Sequence, residues 1–330
     1  MRLFLSTLLI SPLLIPAWAA AQSLDGIGAG PAPSFSISTT PENPLPFSSA
    51  TLNFSTSLET NNATLTVRVD GKTIYQGSVK PVEIQTGRAG ATSRIAASLA
   101  TPSGSYSAAL SLIPQDVVLV AEPLATVPPL YPGKPSVSFD GTIRMVALAS
   151  LKSAGGGAID PSSLSYIWTV DDTQLDNSSG IGKNVLVVSS PFQYRIRTVS
   201  VVATTPDGTF SGSASVSLSA TEPHVRIYNN DPLLGIRFER ALTDAFTIHT
   251  AEQSFYGGVF SFPLGNGAPS SSWFLNGESA QAGNTITLRP TGSGQGDASL
   301  SFVTSGGDTS TASANLSIIF GASGSNFFGL

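Results

Sequence analysis

Beyond an apolar N-terminal run, polar and apolar residues alternate along the chain in short stretches that end at Gly, Pro, Asn or Asp. A period of two puts one set of side chains on a buried sheet face and the other in water, and helical periodicity is scarce. The pattern predicts an all-β chain. Three stretches share more than the period: LTVRVDGKTIYQG from Leu65, YIWTVDDTQLDNS from Tyr166 and SSWFLNGESAQAG from Ser271. Each alternating strand enters a turn, at Asp70-Gly71, Asp171-Asp172 or Asn276-Gly277. Counted back from the turn, Val67, Trp168 and Trp273 hold one position, 101 and then 105 residues apart.

A second feature recurs downstream of the first. ASLATPSGSYSAALSL from Ala97, VVATTPDGTFSGSASVSL from Val201 and LSFVTSGGDTSTASANLSI from Leu300 each read as strand, Gly-containing hairpin turn and strand. Both ends of a unit of about one hundred residues therefore repeat. Several short strands, an aromatic in the middle strand and a final hairpin outline an immunoglobulin-like sandwich. By alternation, Val67, Trp168 and Trp273 point between the sheets and form the structural core of their units. Without cysteine, aliphatic residues such as Val199, Val201, Val216 and Leu218 must fill the space around Trp168. Truncating that indole to Ala is expected to cost ~3–5 kcal/mol.

At YIWTVDD and TTPDGTFSGSASVSL the chain resembles the PKD-like and immunoglobulin-like sandwiches of secreted and surface bacterial proteins. VPPLYPGKPSVSFDGTIRMVAL and EPHVRIYNNDPLLGIRFERAL are similar to uncharacterised exported proteins of small-genome, candidate-phylum bacteria, some encoded near type IV pilus components. The resemblance implies a place at the cell surface or pilus and a tandem architecture. It transfers no active site.

The N-terminus adds an address. MRLFLSTLLISPLLIPAWAAAQS carries Arg2, an apolar run from Leu3 to Ile15 and small residues before Gln22, the order of a secretory signal cleaved after Ala19 or Ala21. No second apolar run of spanning length follows, so the mature chain is expected to lack a transmembrane segment. The resulting division is a signal peptide at 1–21, a linker at 22–33, sandwiches at 34–122, 123–223 and 224–320, and a flexible tail at 321–330. Stacked end to end, three such units make a rod of about 100 Å. Charged residues are only 11% of the chain and its net charge is −5, with no run of Lys or Arg. That lacks the electrostatic footprint nucleic acid requires.

Candidate chemistry is sparse. HVRIYNNDPLLGIRF, from His224 to Phe238, places Asn229, Asn230, Asp231 and Pro232 where a cation could sit between domains. Calcium takes six to eight oxygens, several anionic, whereas this stretch offers Asp231 with Glu222 and Glu239 nearby in sequence. The four residues are therefore read as an interdomain hinge without metal, lying between the second sandwich and the first strand of the third. His224 and His249 lack partners at metal-ligand spacing. No G-x-S-x-G elbow occurs, and Asp70, Asp140, Asp171, Asp207 and Asp308 fall in turns. The chain is expected to be non-catalytic and to need no cofactor. Its expected function is that of an exported structural or adhesive component at the bacterial cell surface, associated with envelope or pilus proteins. The alternative is a secreted glycan-binding accessory module, with Phe255, Tyr256, Tyr75 and Tyr106 as its aromatic contacts.

Overall fold

A computed structural model describes residues 33–265, 267–291, 295–307 and 310–320. The expected signal peptide, the tail and all but the end of the linker lie outside the described residues. In the first unit the strands are β1 (Phe35–Thr40), β2 (Ser49–Thr56), β3 (Thr64–Val69), β4 (Lys72–Gly77), β5 (Val82–Gln85), β6 (Ser93–Thr101) and β7 (Gly104–Leu112). They form two sheets, ordered β1-β2-β5 and β4-β3-β6-β7. The second unit has β8 (Asp116–Pro123), β9 (Thr142–Ser150), β10 (Ser165–Val170), β11 (Thr173–Gln174), β12 (Gly180–Ile181), β13 (Val185–Ser189), β14 (Ile196–Thr204) and β15 (Ser211–Ser219). Its sheets are β13-β9-β8 and β11-β10-β14-β15, with β12 beside β10.

The third unit contains β16 (His224–Asp231), β17 (Gly235–Leu242), β18 (Ala245–Ile248), β19 (Gln253–Phe260), β20 (Ser270–Leu275), β21 (Glu278–Ala282), β22 (Thr285–Leu288), β23 (Gly296–Gly306) and β24 (Ser310–Phe320). One sheet runs β17-β16-β19-β22 and the other β18-β24-β23-β20-β21. Each unit thus closes a core between a three- or four-stranded sheet and a sheet that ends in a long hairpin, and the chain is three tandem immunoglobulin-like sandwiches.

The alternation that defines the strands also fills the cores. Val67, Trp168 and Trp273 are fully buried at matching points of β3, β10 and β20, opposite Ala97, Val201 and Phe302. Around Trp168 lie Ile143 and Met145 from the facing sheet, with Val199, Val201 and Leu218; Val216 packs at the edge of the same cluster. The indole Nε1 of Trp168 donates to the Lys183 carbonyl at 2.8 Å. Trp273 leans on Phe302 at 4.6 Å between ring centroids, and its Nε1 has no hydrogen-bond partner among the described residues.

The three turns are one device used three times. Asp70, Asp171 and Asn276 adopt left-handed backbones, with φ of 49°, 48° and 52°. Each donates its backbone N–H to a carbonyl of the neighbouring strand, at Arg94, Thr198 and Ser299. Each side-chain Oδ1 then accepts the N–H of that same residue, at 2.8, 2.9 and 2.9 Å. Asp or Asn is required because the side chain is short enough to reach this N–H and tolerates the left-handed region.

Two expectations are corrected. The boundary between 122 and 123 falls inside β8, whose residues from Asp116 to Pro123 pair with β9, so that strand belongs to the second sandwich. The hinge assigned to Asn229, Asn230, Asp231 and Pro232 lies within the third sandwich: β16 is its first strand, and the Asp231-Pro232 step opens the hairpin to β17. Asp231 Oδ1 accepts the N–H groups of Leu233 and Leu234 at 2.8 and 2.9 Å, which closes the hairpin locally. Asn229 and Asn230 are strand residues, and Asn229 Oδ1 accepts from Gln253 at 2.7 Å.

Candidate functional site

The polar residues singled out by type serve structure. No group of three or more His, Asp or Glu residues is close enough to hold a metal ion among the described residues. Asp207 sits in the β14–β15 turn, where the Thr205 hydroxyl first, then the Thr209 hydroxyl and backbone N–H, hold its carboxyl at about 2. The N–H groups of Leu234 and Leu233 lower Asp231 in the same way. His224 stacks on Phe260 at 5.1 Å, and its Nδ1 lies 3.1 Å from the Glu222 carbonyl. His249 is exposed.

What the fold adds is contact between units. Between the first and second, Gln115 is a buried amide, 1% exposed, in the short connection after β7. Its Oε1 accepts the Lys152 N–H and its Nε2 donates to the Lys152 carbonyl, both at 2.8 Å. Lys152 belongs to the small hairpin that follows β9, and Gly90 of the first unit presses against it. A Cβ at Gly90 would stand 2.3 Å from the Ser153 carbonyl oxygen and 2.7 Å from that of Lys152. Only a glycine fits there, and its φ of +76° separately favours one. Gly90 N–H also donates to Pro114 O at 3.0 Å.

Between the second and third units the connection is a ladder. The backbone leaving β8 continues into the third sandwich, where Ala125 bridges Pro263. Thr126 N–H donates to Phe262 O at 2.8 Å, Ser261 N–H to Thr126 O at 3.0 Å, and Leu264 N–H to Leu124 O at 3.1 Å. The Thr126 hydroxyl accepts the Phe262 N–H at 3.0 Å. Farther along this strap, Tyr131 meets Phe238 and Phe260 edge-on, at 5.4 and 5.0 Å. It thereby covers the outer aromatic face of the third sandwich, formed by Tyr228, Tyr256 and Phe260. Burial raises the Tyr228 and Tyr256 hydroxyls above the usual tyrosine value. The strap returns to the second unit where Ser138 bridges Thr221. Three backbone-to-backbone hydrogen bonds and the one to the Thr126 hydroxyl, at roughly 0.5–1.5 kcal/mol each, make this seam worth several kcal/mol before its aromatic contacts.

The expected glycan contacts do not form a surface. Phe255 is a core residue and Tyr256 is covered by neighbouring rings, because β19 is the central strand of a sheet buried on both faces at that point. Tyr75 and Tyr106 are half-buried, and the Tyr75 hydroxyl donates to Ser78 O at 2.7 Å. Exposed aromatics lie elsewhere, at Phe47 in the first unit and at Phe192 and Tyr194 in the loop after β13. Phe192 and Ile196 wall a cleft of about 500 Å³ whose floor is the Arg197–Asp171 ion pair at 3.0 Å. Asp172 and Arg195 line the same cleft with side chains that bond no described residue. Alternation could not mark this loop, because its residues are not in a strand.

No family model matches the chain, and no curated protein matches it. Among solved structures, the central fibronectin-III array of RIM-binding protein is similar over 89% of this chain and 98% of its own, at 11% identity and a TM-score of 0.29. Fibronectin(III)-like modules of Clostridium thermocellum CbhA match 62% of this chain and all of theirs, at 12% identity and a TM-score of 0.24. The SGBP-B protein of the Bacteroides ovatus mixed-linkage glucan utilization locus, solved with a mixed-linkage heptasaccharide, matches 89% of this chain and 71% of its own, at 12% identity and a TM-score of 0.22.

Proposed function

We propose that this chain is a non-catalytic exported protein that serves as a structural spacer or adhesive stalk at the bacterial cell surface, held there by envelope or pilus proteins. The observation that supports this reading is the pair of seams. A chain that only strung modules together would leave flexible linkers, which are the ordinary expectation between domains. Here a buried glutamine clamps one joint, and a strand that passes from one sheet into the next unit bridges the other. Such joints resist bending, which is what a spacer needs. The units are proposed to span 34–115, 116–223 and 224–320, following the strand pairing. The apolar N-terminal run supports export, and no helix among the described residues is long and apolar enough to cross a membrane. Protease shaving of intact native cells, read by mass spectrometry, tests the proposal. Peptides of this chain should be released from intact cells, and the intact protein should co-sediment with envelope or pili. A chain found only free in the medium overturns the surface role.

One observation favours a second reading, a glycan-binding module. The cleft beside Phe192 offers an exposed ring for stacking, with the Asp172 carboxylate and the Arg195 guanidinium, neither bonded to a described residue, for hydroxyl groups. Its volume falls within the range of about 300–1,000 Å³ usual for small-ligand sites. Binding on a glycan array that disappears in Phe192→Ala supports this reading, and an array without hits removes it.

A further inference from the structure

A second, smaller cavity lies at the seam itself. It encloses about 200 Å³ between the strap and the third sandwich, and Lys134, His224 and Arg226 line it with no carboxylate among its walls. Lys134 and Arg226 form no ion pair among the described residues, in a chain whose net charge is −5. A cleft lined by one sign of charge concentrates the opposite one.

Two hydroxyl groups complete the lining. Thr126 Oγ1 accepts the Phe262 N–H, which leaves its own hydrogen free to donate. Ser261 is 1% exposed and lines the cavity beside it. Its φ of 62° is left-handed, an uncommon backbone for a residue other than Gly, Asn or Asp. Such geometry clusters at ligand clamps.

We infer that this cavity binds a small tetrahedral oxyanion, phosphate or sulfate, either free or as an ester group on a larger molecule. The cavity has room for one such ion and a few waters, each occupying about 30 Å³. Arg226 supplies a planar fork suited to two oxygens, Lys134 a point charge, and the hydroxyls of Thr126 and Ser261 two neutral donors. Lys134 and Thr126 come from the strap, whereas Ser261, His224 and Arg226 come from the third unit, so the ion ties the two together. This goes beyond the spacer proposal and does not depend on where the protein resides.

Calorimetric titration of the full mature chain with sodium phosphate, sodium sulfate and phenyl phosphate, in chloride of matched ionic strength, tests the inference. One saturable site per chain is expected. Arg226→Gln should weaken binding by about tenfold or more, and Arg226→Lys should weaken it less. Should Arg226→Gln disturb the seam, Lys134→Met on the exposed strap gives the same test without touching a strand. Slower hydrogen exchange at the Thr126 and Ser261 amides with the ion present should accompany binding, since a ligand of the closed seam stabilises it. Tighter binding of phenyl phosphate than of inorganic phosphate points to an esterified group, and the reverse to the free ion. No saturable heat with any of the three, or equal binding by the wild type and both charge-removing variants, overturns the inference.

Discussion

Trp168 and Trp273 occupy one position in two repeats, yet the structure predicts opposite responses to the same substitution. Replacing either by Phe removes part of a buried ring and leaves a small cavity, at a cost of about 1–2 kcal/mol in both units. In the second unit the change also deletes the hydrogen bond from Nε1 to the Lys183 carbonyl, a further loss of about 0.5–1.5 kcal/mol. In the third unit it removes a buried N–H that has no partner among the described residues, and so relieves a desolvation penalty of about 1–3 kcal/mol. Trp168→Phe should therefore destabilise its unit by about 1.5–3.5 kcal/mol, while Trp273→Phe should be near neutral or stabilising.

The cause of the asymmetry is the chain path beside the indole. In the second unit a 3-10 turn at Asp176–Ser178 and the short strand β12 deliver the Lys183 carbonyl to the ring. In the third, β21 runs on to Gly283, whose N–H bonds Ser271, and no equivalent carbonyl is presented. Three coupled sandwiches do not have a single well-defined melting temperature. The assay is therefore hydrogen exchange of the full chain, with the β14 and β23 peptides reporting the two units separately. A Trp273→Phe variant that loses as much stability as Trp168→Phe would refute the reasoning.

Other perturbations follow from the turns and close contacts. Gly90→Ala adds a Cβ 2.3 Å from the Ser153 carbonyl and places alanine in a left-handed backbone, itself costing roughly 1–2 kcal/mol. The first seam should open, seen as faster exchange of the Lys152 amide that Gln115 accepts; unchanged exchange would count against the seam. Gly257→Ala sets a Cβ 2.3–2.4 Å from three atoms of the Phe302 ring and should cost the third unit about 1–3 kcal/mol or more, measured by exchange of β23. Asp207 has its folded pKa lowered to about 2, against an ordinary aspartate value of about 3.9. A depressed carboxylate contributes stability above the unfolded value and loses it as pH falls through the folded one. The stability difference between wild type and Asp207→Asn should thus be full at about pH 5 and vanish near pH 2; a difference independent of pH contradicts the hydrogen bonding.

The parts of this fold that were legible in the sequence are those that depend on neighbours in the chain. Alternation placed Val67, Trp168 and Trp273, and the Asx residues at 70, 171 and 276 announced turns because each must bond the strand beside it. The seams were not legible, because their partners are distant: 37 residues separate Gln115 from Lys152, and 136 separate Thr126 from Phe262. A Gln after a strand and a Thr before a pair of prolines carry no local signal of such bonds. The misplaced hinge has the same origin. An Asp-Pro step with a following glycine reads equally as a link between domains or a hairpin within one, and the pairing of β16 with β17 and β19 separates the two.

The two stretches beginning at Val127 and at Glu222 are the two sides of one contact. Tyr131 in the first packs against Phe238 in the second, and Val137 near the end of the strap accepts the Thr221 N–H at 2.7 Å just before the second begins. By repeat boundaries alone, each stretch falls at the start of its own sandwich. In the structure the first departs from its sandwich to cover the sheet built from the second. A boundary drawn from repeats alone cuts through such a strap, since periodicity records what each unit shares and a strap is what one unit lends to the next. The proposed anion site rests on that strap, and the proposed stiffness rests on it together with the Gln115 clamp.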